Sequence, residues 1–279
     1  MGNLARLARI FFAICIAGLG AQQFNDGQFR PVLIPAFNTH FAGETALIYL
    51  LSIILIGTAV AILLEKQAAN ASLLLGFVFL ANLLFCHIPY EGWMDPAGRQ
   101  SIGAWNNAFK EAALAGSAFV VAGSLTREQA LDKMAIVTTP QVLIPLGSIL
   151  FSIMIVVFGI EHFLYAEFVK TLVPAWIPGA LFWTYFAAVA LVGGGSAILF
   201  QTRSRPAAML LGLMIFLWVI LLHIPRAVVA PATDNGNELT SVFEALGFSG
   251  IAVLIALSYK PRTRHQAMII PVANSVRGS

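Results

Sequence analysis

The sequence predicts an all-α membrane protein: eight transmembrane helices forming two tandem four-helix units, with both termini in the cytoplasm. Three observations predict it. Of 279 residues, 59% are hydrophobic and 10% charged, against about 45–50% and 25% in soluble domains, and mean hydropathy is +0.84. Several apolar runs reach the roughly 20 residues that a helix needs to cross about 30 Å of hydrocarbon. The second half of the chain also repeats the first. A soluble fold of this composition could not clothe its surface. Disorder, coiled coil and a disulfide scaffold are excluded, because disorder needs low hydrophobicity and the only cysteines, Cys15 and Cys86, lie in separate apolar segments.

Taken in chain order, the spans fall near residues 5–24, 43–64, 69–88, 107–124, 141–163, 178–200, 206–223 and 240–259. The first has the charge pattern of a secretory signal, Arg6 and Arg9 before Ile10 to Gly20. Its counterpart in the second half is internal, so it reads as a retained helix. The fourth, around Ala112 to Leu125, is rich in Ala and Gly, which lets helices approach closely in lipid. The sixth contains Gly193-Gly194-Gly195, which lacks the Lys-Ser/Thr of a phosphate loop and serves close packing. Loops on one side hold Arg6, Arg9, Lys66, Arg127, Lys133, Arg203, Arg205, Lys260, Arg262, Arg264 and Arg277. The other side holds Arg30, Arg99, Lys170 and Arg226, with Lys110 at a helix start. The basic excess places both termini in the cytoplasm of a cell membrane, in a bacterium the inner one.

The repeat aligns Phe12 through Gln22-Gln23-Phe24 with Phe151 through Glu161-His162-Phe163. Further along, Pro35 matches Pro174, Gly57 matches Gly193, Gly76 matches Gly212, and His87-Ile88-Pro89 matches His223-Ile224-Pro225. Four spans per unit is an even number, so both units enter in the same orientation, related by a pseudo-twofold axis along the membrane normal. The organisation is then residues 1–124 as the first unit, 125–140 as a cytoplasmic linker, 141–260 as the second unit and 261–279 as a basic cytoplasmic tail.

A helix ending in Glu161-His162-Phe163, an aromatic and proline segment Val173 to Pro178, a Gly-rich helix Leu191 to Ala197 and a helix closing on His223-Ile224-Pro225 together resemble the DoxX-like integral membrane proteins. The resemblance covers nearly everything except linker and tail. It implies two fused four-helix DoxX-like units, and, from some members, a membrane subunit of quinone-linked sulfur oxidation or redox complexes.

Ionisable groups near hydrocarbon are costly unless paired, so they mark the place where chemistry would sit. They gather at the extracytoplasmic helix ends: Gln22-Gln23 and Glu161-His162, then His87 and His223, then Lys110-Glu111 and Glu244, with Arg226 a turn beyond His223. The candidate catalytic residues are Glu161, His162, His223 and Glu244. His87, Trp176 and Arg226 are candidates to hold a quinone or another lipid-soluble ligand. Arg226 is expected near Glu161 or Glu244, neutralising a carboxylate. The bland reading of His87 and His223 is that each closes a helix, Pro89 or Pro225 preventing continuation. Trp176, Trp183, Tyr185 and Trp218 serve as interfacial anchors, as core, or as a flat apolar slot for a ring. A zinc or copper set from His162, His223 and Glu161 or Glu244 lacks any local ligand spacing, so no metal is expected. The Pro31 to Pro35 and Pro174 to Pro178 segments are either stiff loops or interfacial stretches shielding the polar cluster.

Three function classes stay open. One is a redox-associated, quinone-linked membrane subunit with a membrane or redox protein partner. The second is a structural or assembly component of a membrane complex, and the third a small-solute permease. Nucleic acid is not an expected partner; the lipid bilayer is.

Overall fold

The computed structural model describes residues 2–37, 42–133, 139–231 and 233–259. Among them, eight helices are long and apolar enough to cross a membrane, and no strand occurs. This is the architecture of an all-α multi-pass membrane protein. The helices are α1 (Gly2–Asp26), α2 (Glu44–Leu63), α3 (Ala68–Met94), α4 (Asn106–Lys133), α5 (Thr139–Leu164), α6 (Ala180–Leu199), α7 (Ser204–Val229) and α8 (Asn237–Ser258). The stretch 125–140, read as a linker, is largely helical where described: α4 runs on to Lys133 and α5 already starts at Thr139. The tail 261–279 lies outside the described residues.

Burial divides the helices into two kinds. The apolar windows of α4 and α8 are 89% and 67% buried, whereas those of α3 and α7 are 28% buried. The first pair forms the centre and packs together; the others present apolar faces outward, as lipid requires. Helix α4 packs against α3 and α5, and α8 against α7 and α1, while α1 packs on α2 and α5 on α6. The two halves are therefore joined by two large seams, α1 with α8 and α4 with α5.

Glycine builds these seams, because apolar side chains gain nothing from leaving lipid for another apolar surface. A Cβ on Gly116 of α4 would stand 2.6 Å from the Gly147 carbonyl of α5. On the other seam, a Cβ on Gly250 of α8 would stand 2.5 Å from the Ala8 carbonyl of α1. The same approach recurs inside each half at positions the repeat aligns. Gly20 sits against Leu55 and Ile56 of α2, and Gly159 against Leu191 and Val192 of α6; Gly76 meets Phe119, and Gly212 meets Val253.

The α2–α3 and α6–α7 turns are also alike. Each places two non-glycine residues in the left-handed region, Glu65 and Gln67 at φ 56° and 53°, Gln201 and Arg203 at 55° and 50°. Both α3 and α7 contain a π turn that ends on the histidine, Leu83–His87 and Val219–His223. The prolines that follow do not close the helices as expected. Helix α7 continues through Pro225 to Val229, and α3 through Pro89 to Met94. The widened turn supplies the slack, and Pro225 sits in the first turn of the continuing segment, where its missing N–H removes no required hydrogen bond.

Candidate functional site

A cavity of about 1200 Å³ opens at the end of the bundle where α5 and α7 finish and α4 and α8 begin. Its walls are mostly apolar: Met154, Ile155 and Phe158 of α5, Trp183, Phe186 and Leu191 of α6, Met214, Trp218 and Leu222 of α7, and Phe248 of α8. Trp176 and Ile177, from the α5–α6 connection, complete the rim. One end is polar. Helical spacing puts Asn106 with Lys110, Thr240 with Glu244, and Phe158 with Glu161 and His162 on single faces turned to this space.

The polar end is tightly paired. Lys110 Nζ lies 2.7 Å from Glu244 Oε2, and the Glu244 side chain is only 4% exposed. With its nitrogen facing the carboxylate, the Asn106 amide donates to both oxygens of Glu161, at 2.7 and 2.8 Å. His162 Nδ1 donates to the Phe158 carbonyl at 2.6 Å, and the ring stacks on Trp218. A carbonyl only accepts, so the proton is on Nδ1 and Nε2 of the neutral ring is left as an acceptor. Glu244 Oε1 is buried with no hydrogen-bond partner.

The first half reaches into this site through Arg30, which is 1% exposed. Its Nη2 donates to Thr240 Oγ1 at 2.7 Å and its Nη1 to Asp26 at 3.2 Å. Burial lowers the Arg30 pKa from its ordinary value, opposed by the charges of Asp26 and Glu244. Thr240 in turn bonds Gln22, and Gln23 accepts from the Arg30 backbone N–H and donates to the Ile48 carbonyl. The Gln22-Gln23 pair that replaces Glu161-His162 thus holds a loop in place. That loop folds inward, burying Val32, Leu33 and Ile34.

The structure brings Glu161, His162, His223, Glu244 and Trp176 together around the cavity. It does not bring His87 or Arg226. His87 is fully buried in the first half, where Nε2 donates to the Val32 carbonyl at 3.2 Å. Arg226 pairs with neither Glu161 nor Glu244 as expected; it forms a two-pronged pair with Glu238, at 2.9 Å from Nε and a second contact from Nη2. The carboxylates it was expected to neutralise are taken by Asn106 and Lys110. Sequence reasoning missed Asn106, Arg30 and the Lys110–Glu244 pairing. The available signal was the i, i+4 spacing of Asn106 with Lys110 and of Thr240 with Glu244 at the starts of corresponding helices.

Among the described residues, no group of three or more His, Cys, Asp or Glu is placed to hold a metal ion. The cavity thus joins aromatic and aliphatic walls to one polar end. No protein-family model, curated protein or solved structure matches this chain.

Proposed function

We propose that this chain is a quinone-linked membrane subunit, made of two tandem four-helix units of the DoxX-like kind, whose second unit holds the ring of a lipid-soluble quinone. The observation that carries the reading is the cavity itself, about 1200 Å³ and mostly apolar, with Glu161, His162, His223 and the Lys110–Glu244 pair at one end. His223 and Glu161 are the groups that exchange protons with the ring's oxygens. Electrons come from a protein partner, since the chain has no dithiol, haem motif or nucleotide site of its own.

The tandem reading is supported by contacts that recur at aligned positions, Gly20 of α1 against α2 and Gly159 of α5 against α6, and Asn106·Glu161 beside Thr240·Gln22. Cytoplasmic termini remain the reading of the basic loops.

The test is to purify the protein in mild detergent, extract it and look for a quinone by mass spectrometry, then to follow quinone turnover in membranes carrying His223→Ala at normal protein level. Bound quinone and reduced turnover are expected. An absence of bound or exchangeable quinone, with turnover unchanged by the substitution, overturns the reading; a stoichiometric protein partner with an empty cavity would favour the assembly role instead.

A further inference from the structure

The cavity opens in two directions, and the exposure of its lining tells them apart. Its deep walls are sealed even though they border the space: Met154 and Ile155 of α5, Leu191 of α6, Ile215 of α7 and Phe248 of α8 are each no more than 6% exposed. Trp183 and Phe186 of α6 and Leu217 and Leu221 of α7 line the same space and are 40–49% exposed. Spacings of three and four residues put each pair on one face of its helix. The two pairs are therefore the edges of a gap between α6 and α7, and all four side chains are apolar. The opening at the bundle end differs, because it is marked by polar Asn237, exposed at the start of α8, with Ser241 a turn further in.

The gap lies at the depth of the hydrocarbon. Leu199 back to Phe186 and Ser204 on to Leu217 are equal stretches of helix, so these two residues stand at one level, roughly 20 Å from the connecting turn. Nearer that turn the helices meet, where a Cβ on Gly194 of α6 would stand 3.7 Å from Leu211 of α7. Overall α6 packs less on α7 than on α5.

We propose that the ligand passes sideways between bilayer and cavity through this gap, and that it carries a hydrocarbon tail which lies between the Trp183–Phe186 and Leu217–Leu221 pairs while its ring sits inside, a reading that rests on the cavity being a lipophile site. A tail crossing an apolar rim exchanges one apolar surface for another and desolvates no charge. A tail leaving past Asn237 would enter water, and each methylene that did so would cost about fourfold in population. The volume agrees, since about 1200 Å³ is more than the roughly 300–1,000 Å³ that holds a drug-sized molecule. A ring alone would leave apolar space unfilled.

The probe that tests this is a fully substituted 1,4-benzoquinone bearing a decyl chain with a diazirine midway along it. The full chain in nanodiscs would be illuminated with the probe alone and with an excess of the same quinone lacking the diazirine, and labelled residues mapped by peptide mass spectrometry. Label that the excess removes is specific, whereas label on the general lipid-facing surface persists. The expected result is competable label on Trp183, Phe186, Leu217 or Leu221. It should be lost in the double variant Leu217→Trp with Leu221→Trp, which fills the gap from two lipid-exposed positions. Competable label confined to Asn237 and Ser241, or rim label undiminished in the folded double variant, overturns the sideways route and leaves the lipophile site standing. If the double variant does not fold, the position of competable label in the native chain decides alone. Absence of competable label anywhere overturns the lipophile site and the sideways route with it.

Discussion

Lys110 and Glu244 meet at 2.7 Å between the two most buried helices, so the only direct charge contact between α4 and α8 lies at the mouth of the cavity among the described residues. Each side chain is largely removed from solvent, with 17% and 4% exposed. Removing one partner strands a charge that lipid and protein cannot solvate. Lys110→Met or Glu244→Leu alone should cost about 3–5 kcal/mol, whereas the double variant should recover most of that. Thermal unfolding in one detergent, compared across the three variants, checks this; two single losses that simply add would contradict it.

The glycines of α6 separate packing from propensity. A Cβ on Gly195 would stand 2.8 Å from Val156 and 2.9 Å from Ile155, while a Cβ on Gly193 meets nothing within 4 Å. Gly195→Ala should therefore destabilise the α5–α6 seam by about 1–3 kcal/mol through overpacking. Gly193→Ala, two residues away, should be neutral or stabilise by up to about 1 kcal/mol through helix propensity. The midpoint of detergent-induced unfolding should move in opposite directions for the two, or fall only for Gly195.

Helix number was legible because hydrocarbon thickness imposes a length, and runs such as Thr45 to Leu64 meet it. Helix partners were not. In lipid, apolar side chains carry no address, so nothing in the pattern of Leu and Ile tells α4 to seat against α5; only small residues such as Gly116 and Gly147 hint at a seam. The polar site was half legible for a related reason. A costly buried ion announces that it has a partner without saying which, and Arg226 took Glu238, in the first turn of α8, instead of Glu244 further along the same helix. The inward fold of Val32 to Ile34 was invisible for want of any periodicity in so short a segment.

Arg30 ties the first half to the wall of the cavity through Thr240, at 2.7 Å. Thr240→Val keeps the shape, leaves Arg30 its contact with Asp26 and removes the hydroxyl that joins Arg30 to Gln22. The expected cost is about 1–2 kcal/mol, accompanied by faster amide hydrogen exchange over residues 27–37, where the loop is held. Exchange in the α2–α3 turn, which has no contact with this network, serves as the control. Unchanged exchange over the loop would mean that Gln23 and Asp26 hold it without help.

The two histidines sit at matching π turns yet face different surroundings, and their substitutions should separate accordingly. His87 is sealed beneath the Val32 carbonyl, so His87→Ala removes a buried ring and its hydrogen bond, and a loss of roughly 3 kcal/mol of stability is expected. Quinone binding, corrected for folded fraction, should be unaltered. His223 lines the cavity and is only partly buried, so His223→Ala should cost less stability than His87→Ala while weakening the binding of a lipid-soluble quinone. Measuring both unfolding and binding on both variants decides the matter, because the crossed pattern is what distinguishes a packed histidine from one that faces a ligand. If His223→Ala lost stability and kept binding, the π turn in α7 would be a packing device like that in α3, and the polar end of the cavity would reduce to Glu161, His162 and the Lys110–Glu244 pair.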